Sequence, residues 1–128
     1  MYSPTLEQAR AYAADYKCVP VCRPILSDMR TPIEVLKVLK NVSKHCYLLE
    51  SLASSDSWGR YTFLGYEPGL EITCVDGRVR ITDNGQVTQQ NTRHPGEILR
   101  RIVAEHKSPK IEGFPTFTGG LVGYFSYD

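Results

Sequence analysis

The residues of this chain that could do chemistry are few. Glu50 closes the apolar run Cys46–Leu49 and is followed by Ser51 and a loop rich in Ser and Asp from Leu52 to Gly59. A carboxylate at a strand end, beside a hydroxyl and open backbone amides, suits the ammonium group of a small ligand. Glu50 could instead pair with Arg60 across the loop, and on the residues alone that pairing is the stronger reading. Trp58 is open in the same way: it plugs a core edge or covers a pocket.

Other constellations offer less. His45, His94 and His106 are far apart and fall at expected helix ends, which suits surface or capping roles. His45 and Cys46 are neighbours, and neighbouring side chains on a strand point to opposite faces, so they cannot act as base and nucleophile. Ser51 lacks the Gly-x-Ser-x-Gly elbow of a hydrolase. Thr118-Gly119-Gly120-Leu121-Val122-Gly123 precedes an expected strand rather than joining a strand to a helix, so it is no phosphate loop. Its paired glycines suit close approach of packed backbones. The four cysteines, Cys18, Cys22, Cys46 and Cys74, show no second pair at metal-ligand spacing. They read as reduced structural thiols of a cytoplasmic protein. Glu7, Glu34, Glu97 and Glu105 all fall on the polar faces of expected helices. No catalytic residue and no metal ligand is assigned.

The elements that position these residues follow from pattern. Ser3-Pro4 has the cap-and-first-turn signature of a helix, continued by Leu6, Ala9, Ala13 and Tyr16. Cys18–Leu26 is extended, with Pro20 and Pro24 restricting it to an edge or to irregular pairing. Thr31-Pro32 repeats the cap before the apolar stripe Ile33, Leu36, Leu39, widened by Val35 and Val38, with a stop near Asn41. Strands are then expected over Cys46–Leu49 and Arg60–Tyr66. Leu70, Ile72 and Cys74 alternate with polar residues up to Asp76-Gly77, and Val79 and Ile81 do so up to Asn84-Gly85. These turn dipeptides predict a three-stranded meander over about residues 69–90. Pro95 opens a third helix with the stripe Ile98, Leu99, Ile102 and Val103.

Leu121–Tyr127 is apolar on both faces, the pattern of a strand buried between layers. It docks as an edge, or the chain is the N-terminal piece of a longer protein; the second reading is preferred. Exposed apolar surface is expected there, and with it self-association.

Composition excludes classes without naming a function. The 128 residues are enough for one domain with a core, 41% are hydrophobic and 23% charged, and the net charge is +1. Neither charge sign dominates, which argues against a nucleic-acid partner. No apolar run approaches the roughly 18–20 residues of a membrane span, and no secretory leader is evident.

Several motifs, taken in order, resemble a known family. Tyr47-Leu48-Leu49-Glu50-Ser51 is similar to the Leu-Leu-Glu-Ser motif of anthranilate synthase component I. Trp58-Gly59-Arg60-Tyr61-Thr62-Phe63-Leu64-Gly65 resembles that family's Gly-Arg-Tyr-Ser-Phe-Leu-Gly element, with Thr62 in place of Ser. Phe114–Asp128 resembles its Pro-Pro-Phe-x-Gly-Gly-x-x-Gly-Tyr-Phe-x-Tyr-Asp segment, with Thr116 replacing the second Pro. Val19-Pro20-Val21 and Asp28-Met29-Arg30-Thr31-Pro32 match the opening. The resemblance covers residues 1–128 as an N-terminal domain, about the first quarter of a family member.

It implies an enzyme that converts chorismate and ammonia to anthranilate and pyruvate in tryptophan biosynthesis, using Mg2+. The ammonia comes from glutamine through a partner amidotransferase subunit, component II. The catalytic and metal-binding residues belong to the C-terminal chorismate-binding portion, against which this part packs, so this part alone is expected to be inactive. It also implies that Leu49, Glu50 and Ser51, with Arg60 by proximity, supply half of a feedback site for L-tryptophan. The fold expected is α+β, with mostly antiparallel strands in layers and about three outer helices, as an incomplete part of a larger two-layer sandwich. Aminodeoxychorismate synthase component I, which shares the fold, and a free-standing amino-acid-binding module are the alternatives.

Overall fold

The computed structural model describes residues 1–50 and 61–127. In chain order the elements are α1 (Leu6–Tyr12), α2 (Pro32–Val42), β1 (Cys46–Glu50), β2 (Thr62–Tyr66), β3 (Leu70–Val75), β4 (Arg78–Asp83), β5 (Gln86–Asn91) and α3 (Pro95–Glu105). The strands form two antiparallel sheets, β1-β2 and β3-β4-β5, so the described residues are α+β as expected. The chain divides into two compact units, one made of Met1–Leu26 with His94–Asp128, the other of Ser27–Arg93.

In the first unit α1 begins later than Ser3-Pro4 suggests. Ser3 is occupied in a bridge with Cys22, in which each amide donates to the other's carbonyl, at 2.9 and 2.7 Å. The cap passes to Thr5, whose hydroxyl accepts from the Gln8 amide while the Gln8 side chain accepts from the Thr5 amide at 2.9 Å. Thr5-x-x-Gln8 is a capping box, a signal present in the sequence. The bridge also shows how Cys18–Leu26 pairs: it is extended and touches a partner strand at one point. Arg23 lies 5.7 Å over the Tyr2 ring beside it. α3 is amphipathic and buries Ile98 and Ile102, each worth roughly 1.5–3 kcal/mol when fully covered. Val103, expected in the same stripe, is exposed.

Leu121–Tyr127 is not a strand in this structure. A strand needs a neighbour to satisfy its backbone amides and carbonyls, and none of the described strands pairs with it. Its aromatic residues stand in solvent, Tyr124 at 93% and Phe125 at 85% exposure. The expected apolar surface is therefore present without the expected strand.

In the second unit α2 starts as the sequence predicts, with Thr31 at the cap and Pro32 in the first turn. The Thr31 amide and hydroxyl donate to the Glu34 carboxylate at 2.8 and 3.1 Å, and the Thr31 hydroxyl accepts from the Glu34 amide at 3.3 Å. These bonds, the backbone one first, hold the Glu34 carboxyl below its ordinary pKa. α2 contacts both β1 and β2. In that sheet Tyr47 faces Gly65, and a Cβ at Gly65 would collide with the Tyr47 ring. The glycine gives the ring room to lie across the neighbouring strand.

The meander is the most legible element. Asp76, Gly77, Asn84 and Gly85 all have positive φ, from 46° to 87°. That is the primed turn that matches strand twist, and Asp, Asn and Gly tolerate it best. Ile72 faces Ile81, and Cys74 faces Val79, which is 1% exposed.

Three measurements check these accounts. Thr31→Ala should cost about 1 kcal/mol of stability in urea denaturation. Because the Glu34 pKa is lowered by folding, its contribution is present above the unfolded carboxyl value, about 4.3, and is lost as pH falls through the lower folded value. Helix signal from α2 should therefore decline below about pH 4, and Glu34→Gln should remove that part of the acid dependence. Separately, Gly65→Ala should destabilise by about 1–3 kcal/mol. In a Tyr47→Ala background the same change should cost almost nothing, a coupling that a double-mutant cycle reads directly.

Candidate functional site

The motif that carries the expected ligand wall lies at the end of β1. Cross-strand register places Leu49 opposite Phe63 and Glu50 opposite Thr62. The strand pleat therefore sends Leu49 and Glu50 to opposite faces of the sheet. Leu49 shares its face with Tyr47, Phe63 and Tyr61. It is 42% exposed, and the Tyr61 and Phe63 rings lie 5.9 Å apart and tilted by 38°. Glu50 is exposed on the other face, at the sheet end. Ser51, Trp58 and Arg60 lie outside the described residues, as does the Glu50–Arg60 pairing.

The sheet thus brings together one aliphatic and three aromatic side chains, of which Leu49, Tyr61 and Phe63 at the strand end could take the flat apolar body of a ligand. A carboxylate stands at the same strand end. The alternation Tyr61-x-Phe63 was visible in the sequence, but its contribution to the Leu49 face depends on the register of β1 with β2.

The other end of this sheet holds a feature that no motif announced. Val42–His45, Glu67–Gly69, Glu71, Thr82, Asn84 and Gly85 line an open groove of about 400 Å³. Ser43 organises it. Its hydroxyl donates to the His45 carbonyl at 2.7 Å and accepts from the His45 amide at 3.2 Å and the Glu67 amide at 3.0 Å. That uses the one donor and both acceptor positions of a hydroxyl. Glu67 has φ of 47°, a conformation a side chain other than glycine adopts only when held. His45 Nε2 lies 3.7 Å from a Glu71 carboxylate oxygen, with both side chains largely exposed.

His94 and His106 take the N-cap and C-cap positions of α3, and His106 Nδ1 lies 2.8 Å from the Ile102 carbonyl. All four cysteines are free thiols. Among the described residues no group of three or more His, Cys, Asp or Glu side chains could hold a metal ion. No helix among them is long and apolar enough to cross a membrane.

Comparison with known proteins places the chain in a class first. It matches proteins named anthranilate synthase component 1 over nearly all its own length. One from Acetivibrio thermocellus is 34% identical over 128 residues, the whole of this chain and 26% of the relative. One from Acinetobacter calcoaceticus is 36% identical over 119 residues, 90% of this chain and 24% of the relative. One from Pseudomonas aeruginosa is 33% identical over 123 residues, 95% of this chain and 25% of the relative. No family model matches the chain, and no solved structure matches it. The chain spans about a quarter of the length of the relatives it matches. Within the anthranilate synthase component 1 family, it is homologous to the N-terminal region.

Ser43 gives the site its test. Ser43→Ala leaves the exposed Glu67 amide to bond to water instead and should destabilise by about 0.5–1.5 kcal/mol. The loss should appear in urea denaturation, and amide exchange at Glu67 should accelerate while exchange in β4 follows the global change alone.

Proposed function

We propose that this chain is the N-terminal regulatory and structural part of an anthranilate synthase component 1, and that it supplies half of a site for L-tryptophan. The observation that carries this reading is homology along the whole chain to the N-terminal quarter of proteins with that name. In such an enzyme chorismate and ammonia become anthranilate and pyruvate, in the cytoplasm, with Mg2+. A glutamine amidotransferase subunit, component II, delivers the ammonia. The metal and the chemistry belong to the chorismate-binding portion, beyond the residues present here. The role of this part is to pack against that portion and to wall the effector site.

The wall has the right chemistry for an aromatic amino acid. The Leu49, Tyr61 and Phe63 face offers apolar and aromatic surface to an indole ring. Glu50 points to the opposite face, so its carboxylate takes the ammonium group of a ligand that reaches around the strand end, and the Ser51 hydroxyl and Arg60 complete the proposed set. Tryptophan bound there acts by preferring one of two states of the whole enzyme, so a half-site can bind but cannot display the coupling.

In the full-length enzyme, Ser51→Leu should raise the tryptophan concentration needed for half-inhibition at least about tenfold, a coupling loss of about 1.4 kcal/mol. Turnover without tryptophan should stay within about twofold. Unchanged tryptophan sensitivity would overturn the assignment. Titrating the chain itself with L-tryptophan, with chorismate as control, measures what the half-site contributes alone.

A further inference from the structure

The outer strand of the meander is built without the devices that keep sheet edges apart. β5 reads Gln-Val-Thr-Gln-Gln-Asn and pairs with β4 in six-residue register without a bulge. All six residues are exposed, and it lies at the edge of its sheet. Natural edges are blunted by Lys, Pro, bulges or inward charges, and β5 has none of these.

Its open valence follows from parity. The Thr92 amide donates to the Gly77 carbonyl at 2.8 Å, one step beyond the Arg78–Asn91 pair. Antiparallel ladders alternate between pairs that exchange both hydrogen bonds and pairs that exchange none. Gln90, Thr88 and Gln86 therefore direct their amides and carbonyls at β4. Val87, Gln89 and Asn91 direct theirs out of the sheet, three donors and three acceptors at every second residue.

We propose that β5 pairs with β5 of a second copy of this chain, antiparallel about a two-fold axis at Gln89, joining two three-stranded sheets into one of six strands. About that axis Gln89 exchanges both bonds with its own equivalent, and Val87 does so with Asn91, so all six outward groups are used. The side chains brought together are Gln89 with Gln89, Val87 with Asn91, and Thr88 with Gln90. No charge meets a like charge, and the amide side chains can bond to one another. Its own copy matches the edge in parity, length and neutrality. A strand edge of this length buries less than the roughly 1,200 Å² of a standard interface, so the association is weak and reversible.

The experiment is sedimentation velocity of the chain from about 10 μM to about 1 mM, with the variants Gln89→Lys and Gln89→Glu. These change one exposed side chain and leave the β4 ladder intact. The wild-type coefficient should rise with concentration toward that of a dimer. Each variant alone should remain monomeric, because two like charges face each other across the axis. An equimolar mixture of the two variants should regain the dimer, and added salt should weaken that mixed dimer. A wild-type chain monomeric at the highest concentration overturns the proposal. So does a Gln89→Lys protein that dimerises as the wild type does, since the contact then lies elsewhere, the exposed Leu121–Tyr127 included. A mixture that stays monomeric overturns the two-fold at Gln89.

Discussion

The hydroxyl of Ser43 is the junction on which the second unit turns. It fixes the first step into β1 and holds the corner after β2 through the Glu67 amide, while the Ser43 backbone amide closes α2 by donating to the Leu39 carbonyl at 2.9 Å. Two parts of the unit depend on this one oxygen for different reasons. β1 gains its starting direction, and Glu67 is kept in a left-handed conformation it would otherwise leave. Direction set at the start of β1 is carried five residues on to Leu49 and Glu50, so the candidate wall is aimed from its far end.

Stability in this chain rests more on local devices than on bulk burial. Val79, Ile98 and Ile102 are the buried apolar residues of the described chain. Around them stand two capping boxes, two primed turns and a glycine that admits a tyrosine ring. Each fixes backbone geometry within a few residues or between adjacent strands. Much apolar surface on α2 and in Leu121–Tyr127 remains open, which agrees with a chain matching a quarter of its relatives' length.

Local signals were also what the sequence made legible. The meander follows from Asp76-Gly77 and Asn84-Gly85, whose conformational demands are carried by the dipeptides themselves. Thr31-Pro32 places α2 because cap, proline and Glu34 agree within four residues. Reading Ser3 as the α1 cap fails because a strand-like contact with Cys22, distant in sequence, claims its backbone first. Leu121–Tyr127 has the composition of a strand, but a strand is a relation between two segments and composition supplies one. At the site, the Leu49–Glu50 motif could be read directly. The separation of those two residues onto opposite faces, and the joining of Leu49 to Tyr61 and Phe63, required register. Ser43 carries no sequence signal beyond following a helix.

The order of the two units along the chain bears on how it acquires structure. Ser27–Arg93 is continuous, and its meander closes through neighbouring hairpins, contacts that form on the microsecond scale. The other unit is assembled from both ends of the chain, with all of Ser27–Arg93 intervening. Its closure carries the entropy of a long loop and waits for the segment from His94 onward to be made. During synthesis the middle of the chain can therefore reach its native form first, while the N-terminal segment, already emerged, stays without its partner until α3 has left the ribosome.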